Sequence, residues 1–254
     1  MKPSLKLSIA AATLTLSSGL SRAVVIFDGI SDVAAHSVAS TPNSFMGEAV
    51  NLDAAGFSAA LNSISSFEVG VGNVTGAGIT ARPVRLNMWV YQTYTPSATA
   101  TPVFSNQIGT PGSPSFVFDF PSFTLANGTL LVATLTMGTP LVLTPTSGTT
   151  IGLALNWQVD NGAGFVSLNG FTTPVHANVA PTVGSNATGG APAFGYYRNA
   201  ANEADGNFLG TSARNIGNDS GLLLRINGPN PVPEPAATTL GLVFGVTLLS
   251  RRRR

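Results

Sequence analysis

The sequence predicts an all-β protein, an antiparallel β-sandwich of the jelly-roll kind. Three observations carry that prediction. Apolar and polar residues alternate at period two in one run after another. Turn dipeptides separate these runs at short intervals. The 254 residues include 28 glycines and 17 prolines, with 44% hydrophobic and only 9% charged side chains. That balance suits a turn-rich folded domain and argues against disorder, which favours high charge and low hydrophobicity.

Taken in order, Val24-Val25-Ile26-Phe27 opens a strand that stops at Asp28-Gly29. Phe67, Val69 and Val71 alternate with Glu68 and Gly70, and Val84, Leu86, Met88 and Val90 alternate with Arg85, Asn87, Trp89 and Tyr91. Phe116, Phe118 and Phe120 repeat the pattern. Thr129 to Met137 forms a β-branched and leucine-rich run after the turn pair Asn127-Gly128. Ile151, Leu153, Leu155, Trp157 and Val159 put five apolar side chains on one face, and Leu222, Leu224 and Ile226 close the series. Strict alternation means one face on a core and the other toward water. Further turns are expected at Gly109-Thr110-Pro111-Gly112, Asp160-Asn161-Gly162, Asn169-Gly170, Gly189-Gly190 and Asn227-Gly228. A helix is plausible only over Asp53 to Ile64, where alanines give weak propensity. Pro174 to Ser220 reads as a long Asn/Gly/Ala-rich loop, with a short strand near Phe194 to Arg198.

The ends read differently from the body. Lys2 and Lys6 precede an apolar stretch, Leu7 to Leu16, and Ser21-Arg22-Ala23 offers small residues at the −3 and −1 positions of a cleavage site. Residues 1–23 are therefore expected to be a signal peptide, with the mature chain beginning near Val24. The competing reading, an uncleaved anchor, is disfavoured because the stretch is short and broken by Ser and Thr. At the C-terminus, a stiff spacer at 229–231 leads into Val232-Pro233-Glu234-Pro235. An apolar run from Ala236 to Ser250 follows, and the chain ends on Arg251, Arg252, Arg253 and Arg254. At ~1.5 Å per residue the run reaches about 22 Å, short of a ~30 Å hydrocarbon core, so it would be a marginal transmembrane helix. The four arginines are expected to act as a membrane stop that holds its end on the cytoplasmic side.

Those C-terminal residues together resemble the PEP-CTERM sorting signal of Gram-negative bacteria. The resemblance covers Val232 to Arg254 and no other part of the chain. The apolar run opens Ala236-Ala237-Thr238-Thr239, where the family more often has a Ser-Thr pair. The resemblance implies export across the inner membrane by the secretion machinery and transient anchoring by the tail. It further implies recognition of Pro233, Glu234 and Pro235 by an exosortase, then delivery to the cell surface or an extracellular matrix rich in exopolysaccharide.

Composition narrows the remaining classes. The body, 24–231, has five arginines, no lysine and ten carboxylates, a net charge of −5 with His neutral. Such a domain is a poor partner for nucleic acid. There is no cysteine, so neither disulfides nor thiolate metal sites are available. The expectation for 24–228 is a non-catalytic surface structural or adhesion domain. The alternatives are a carbohydrate-binding module or, less favoured, a secreted glycoside hydrolase.

Four groups of residues are candidate sites. On the strand face Arg85, Asn87, Trp89 and Tyr91, rings for stacking on a pyranose stand beside donors for its hydroxyls. A loop or second layer covering that face is the more ordinary reading of the same pattern. Asn202, Glu203, Asp205 and Asn207 gather hard oxygen donors around a glycine, which suits Ca²⁺, although Asx turns are the more ordinary explanation. Glu48, Glu68, Glu203, Asp119 and Asp160 are the carboxylates from which a glycosidase pair would be drawn. Glu68 and Asp119 fall at outward positions, where a solvated charge is expected. His36 and His176, the two histidines of the chain, read as solvated loop residues with no local catalytic motif around them.

Overall fold

The computed structural model describes residues 23–30, 36–37, 45–53, 62–95, 103–144, 148–176, 179–187, 196–199, 212–214 and 221–228. Among them the chain is all-β. The strands are β1 (Val25–Asp28), β2 (His36–Ser37), β3 (Phe45–Asn51), β4 (Ser63–Asn73), β5 (Ile79–Thr95) and β6 (Val103–Gln107). There follow β7 (Phe116–Leu125), β8 (Thr129–Val142), β9 (Thr150–Asp160), β10 (Phe165–Val166), β11 (Phe171–Thr172) and β12 (Val175–His176). The last are β13 (Ser185–Asn186), β14 (Tyr196–Asn199), β15 (Ser212–Arg214), β16 (Gly221–Leu222) and β17 (Leu224–Asn227).

Two large antiparallel sheets share one core, a β-sandwich-like arrangement. The first runs β1-β17-β4-β11, with β8 also on β4. The second runs β15-β14-β3-β9-β5-β6, with β13 on β3, β10 on β9 and β7 on β5. Alternation places Phe67, Val69 and Val71 of β4 and Leu224 and Ile226 of β17 in one cluster with the apolar faces of β5 and β9. Trp157 belongs to this core, as its apolar neighbours predict. Its ring meets Phe120, Phe123 and Phe171 at centroid distances of 5.8, 6.4 and 6.0 Å, and its indole N–H donates to Thr173 Oγ1 at 3.0 Å. A third, three-stranded sheet, β16-β12-β2, joins the first through Leu223. The Leu223 N–H donates to Pro174 O at 2.9 Å, and Leu223 O accepts from Gly70 N–H at 2.7 Å.

The proline-bearing strands pair with a local irregularity. The β5–β7 register shifts on either side of Arg82, beside Pro83 in β5 and Pro121 in β7. Proline cannot donate to a ladder, so a bulge is where a paired strand tolerates it. Ala81 absorbs the irregularity in the left-handed region, φ 48°. The Asn127-Gly128 turn forms but does not close a two-stranded hairpin. Strand β7 pairs with β5 and β8 with β4, so the turn carries the chain from one sheet to the other.

Two expectations need correction. The stretch 174–220 is not a single loop, because Val175–His176, Ser185–Asn186, Tyr196–Asn199 and Ser212–Arg214 all pair as strands. The strand sought near Phe194 to Arg198 is β14. The helix expected over Asp53 to Ile64 loses its end, since Ser63 and Ile64 open β4; positions 54–61 lie outside the described residues.

Candidate functional site

The sequence offers Arg85, Asn87, Trp89 and Tyr91 as the outward face of β5. The register is as the alternation predicts, but the face is not open. Arg85 donates through Nε and an Nη to both carboxylate oxygens of Asp119, at 2.7 and 3.0 Å, and stacks 4.1 Å above the Phe165 ring. The hydrogen bond from Arg85 holds the Asp119 carboxyl below its usual range, and the same bond raises the guanidinium. Asn87 is 9% exposed and donates to Gln158 Oε1 at 3.0 Å and Asn156 Oδ1 at 3.4 Å. Trp89 and Tyr91 are 1% and 5% exposed and pack with Ala49, Tyr94, Ala154 and Ala187 in a second apolar cluster. The small residues of β3 and β9 opposite them leave room for the rings. With donors committed and rings covered, the face is not a stacking platform for a sugar.

The accessible chemistry lies one strand further out. Tyr91, Phe104, Ser105, Asn106, Gln107 and Pro111 line an open cleft of about 520 Å³. The Phe104 ring meets Tyr91 edge-on at 5.5 Å and Tyr94 at 5.2 Å. Gln107 braces the following turn by donating to Thr110 O at 3.0 Å and Ser113 O at 2.5 Å. Asn106 holds a left-handed backbone, φ 53°, while its amide donates to Thr93 Oγ1 at 2.6 Å. A non-glycine residue in this region costs energy and marks a position held by its surroundings. Sequence reading finds the turn at Gly109 to Gly112 and misses the cleft, because β6 shows no clean alternation.

Most of the described carboxylates are held in bonds of their own, and Asp28 and Glu68 share one cation. Arg225 donates to Asp28 at 3.1 Å and to Glu68 at 3.0 Å. Burial pulls the Arg225 guanidinium down, and the two carboxylates more than offset it. Glu68 and Asp119, expected to be simply solvated charges, are therefore ion-paired. Asp160 accepts from Gly162 N–H at 2.8 Å and shapes its turn.

Glu48 is the exception among these acids. It sits on β3 between Met46 and Val50, on the core face, and is 0% exposed. Its Oε2 accepts from Leu222 N–H at 3.0 Å, and its Oε1 has no hydrogen-bond partner. Burial pushes its pKa well up, and the Leu222 bond opposes this only in part. The expectation of a solvated loop histidine is overturned at the same place for His176. His176 lies on β12 and is 1% exposed, and its register partner on β2 is His36. Its partner on the other side is Gly221 of β16. A Cβ added at Gly221 would lie 2.7 Å from Glu48 Oε1 and 3.2 Å from the Asn186 amide nitrogen. The sheet thus gathers Glu48, His176 and Asn186 around one glycine. The sequence signal for Glu48 is the carboxyl within the alternation Met46, Glu48, Val50.

The possible Ca²⁺ ligands Asn202, Glu203, Asp205 and Asn207 lie outside the described residues. So do the expected signal peptide, the expected sorting motif Pro233, Glu234 and Pro235, and the expected membrane stop Arg251, Arg252, Arg253 and Arg254. Among the described residues no group of three His, Cys, Asp or Glu side chains is placed to hold a metal ion, and no helix is long and apolar enough to cross a membrane. No family model, curated protein or solved structure matches this chain.

Proposed function

We propose that the chain is an exported, non-catalytic surface or matrix protein whose jelly-roll-like body is delivered by its C-terminal tail. The observation that carries this reading is the order of features at the terminus: Pro233-Glu234-Pro235, an apolar run, then Arg251, Arg252, Arg253 and Arg254. The described carboxylates support it, because Asp28, Glu68 and Asp119 are committed to ion pairs with Arg225 and Arg85 that join strands. An exosortase reading the motif would release the body outside the inner membrane. The test is Glu234→Ala expressed in a host that carries an exosortase. The expected result is a longer, membrane-retained form. Unchanged processing of the variant overturns the reading.

A second reading, saccharide binding, is favoured by the Tyr91–Phe104 cleft. The half-buried Phe104 ring beside the Ser105 hydroxyl in an open depression offers an apolar surface and a polar group of the kind a sugar requires. Binding of the secreted chain to matrix polysaccharide, weakened by Phe104→Ala, is the expected result. Equal retention of wild type and variant removes the cleft from consideration.

A further inference from the structure

We propose that the free edge of β8 joins two copies of this chain, antiparallel about a two-fold axis, so that the first sheet runs from one molecule into the next. β8 is 14 residues long and, among the described residues, pairs with β4 alone. Its ladder is unbroken from Thr129 to Thr136, opposite Asn73 to Ser66. Two bonds fix the backbone directions. Gly128 N–H donates to Asn73 O at 2.6 Å, so Asn73 faces the β8 side, while Gly70 N–H turns the other way to Leu223 O. Successive residues of a strand point their backbone groups to alternate sides. Val71, Val69 and Phe67 therefore face β8 as Asn73 does, and their partners Leu131, Ala133 and Leu135 face back. Leu130, Val132, Thr134 and Thr136 turn their N–H and C=O groups to the open edge. A row of such groups is a template for another strand.

Nothing on β8 guards that edge. Proteins protect edge strands with charge, proline, shortness or bulges. β7, on the second sheet, carries Asp119, Pro121 and a shifted register. β1, β6 and β15 are only four, five and three residues long. β8 has no charged residue, and its one proline, Pro140, lies beyond the register break after Thr136. Leu130, Leu131 and Val132 are 39%, 43% and 36% exposed, an apolar group that a second strand would cover. Charge selects the occupant. No Asp, Glu, Lys, Arg or His lies between Asp119 and Asp160, while the body carries ten carboxylates against five arginines. Two copies therefore repel elsewhere and meet with least repulsion along this neutral strip. A charged partner strand finds no counter-charge here, whereas β8 matches itself. With the two-fold at Val132, Val132 meets its own copy and Leu130 meets Thr134. Such a self-complementary contact closes as a dimer.

The test uses the full-length chain in a mild non-ionic detergent. The chain has no cysteine, so one introduced thiol reports one position. A short bismaleimide should link Val132→Cys into a dimer and leave Ala163→Cys, exposed in the turn after β9, as monomer. Sedimentation equilibrium should show a wild-type dimer. Val132→Lys and Thr134→Lys each place like charges beside the two-fold and should raise its Kd by about 100-fold or more. Thr134 is exposed and lies opposite Glu68, so a lysine there gains a carboxylate neighbour within the chain and should leave Tm unchanged. A folded wild-type chain that stays monomeric overturns the proposal, and so does a Val132→Cys thiol captured on a different protein in its place. A dimer that persists in both lysine variants, or equal cross-linking at positions 132 and 163, overturns it equally, because the contact then lies elsewhere, as in association of the apolar tails.

Discussion

Gly152→Ala gives a sharp test of the second apolar cluster. An ideal Cβ on Gly152 would overlap Phe104 Cδ1 and lie 2.5 Å from its Cε1. Carbon atoms rest at about 3.5–4.0 Å, so the ring must retreat by at least about 1 Å. It has little room to do so, because it is already packed against Tyr91 and Tyr94. Forcing an extra methyl into a packed contact costs about 1–3 kcal/mol, and disturbing each aromatic pair adds about 0.5–1.5 kcal/mol. Replacing a strand glycine returns about 0.5–1 kcal/mol of backbone entropy. The net expectation is a loss of about 3 kcal/mol. For a domain of roughly 200 residues that lowers Tm by about 6–12 °C. Urea unfolding should show a lower midpoint with an unchanged slope. On a Phe104→Ala background the space is already vacant, and the same substitution should cost almost nothing, so the two changes are non-additive. A Gly152→Ala chain within about 0.5 kcal/mol of wild type, or strict additivity with Phe104→Ala, would refute the packing argument.

Three further predictions concern charges and polar contacts. Arg225→Ala leaves Asp28 and Glu68 without their shared cation, and should destabilise by about 1–3 kcal/mol in urea unfolding at neutral pH. Asp119→Asn should cost about 1 kcal/mol or less at neutral pH, since its ion pair is exposed. Because the folded state holds the Asp119 carboxyl below its unfolded pKa, its contribution is present above the unfolded pKa and fades as pH falls through the folded one. The variant should therefore lose part of the acid limb of the wild-type stability curve, and an identical limb would contradict the pairing. Trp157→Phe removes the donor to Thr173 Oγ1 inside the core and should cost about 1–3 kcal/mol, measured by thermal unfolding.

Much of the fold is legible because it is written locally. Period-two alternation locates β4, β5, β7, β9 and β17 and assigns Trp157 to the core. It also puts Trp89 and Tyr91 on the opposite face, correctly. What packs on that face is not legible, because the alternation of β5 records only which side each residue takes. The same limit hides the pairing of β2 with β12. Two-residue strands such as β2, β12 and β16 are too short to show a period, and a register contact between positions 36 and 176 leaves no local trace. The cleft escapes for a related reason: its walls combine β5, β6 and a turn, and only the turn has a sequence signature. The proposed sorting tail is the reverse case, read from an ordered motif and lying outside the described residues.

The central claim is that the tail is a sorting device for a secreted body. It is tested most directly by intact-mass and C-terminal peptide analysis of the mature chain recovered from the producing cell's surface or matrix. The account predicts a chain that begins near Val24 and ends close to Pro233-Glu234-Pro235, without Arg251, Arg252, Arg253 and Arg254. A mature chain that still carries Arg254, or one found in the cytoplasm with Met1 in place, would contradict it.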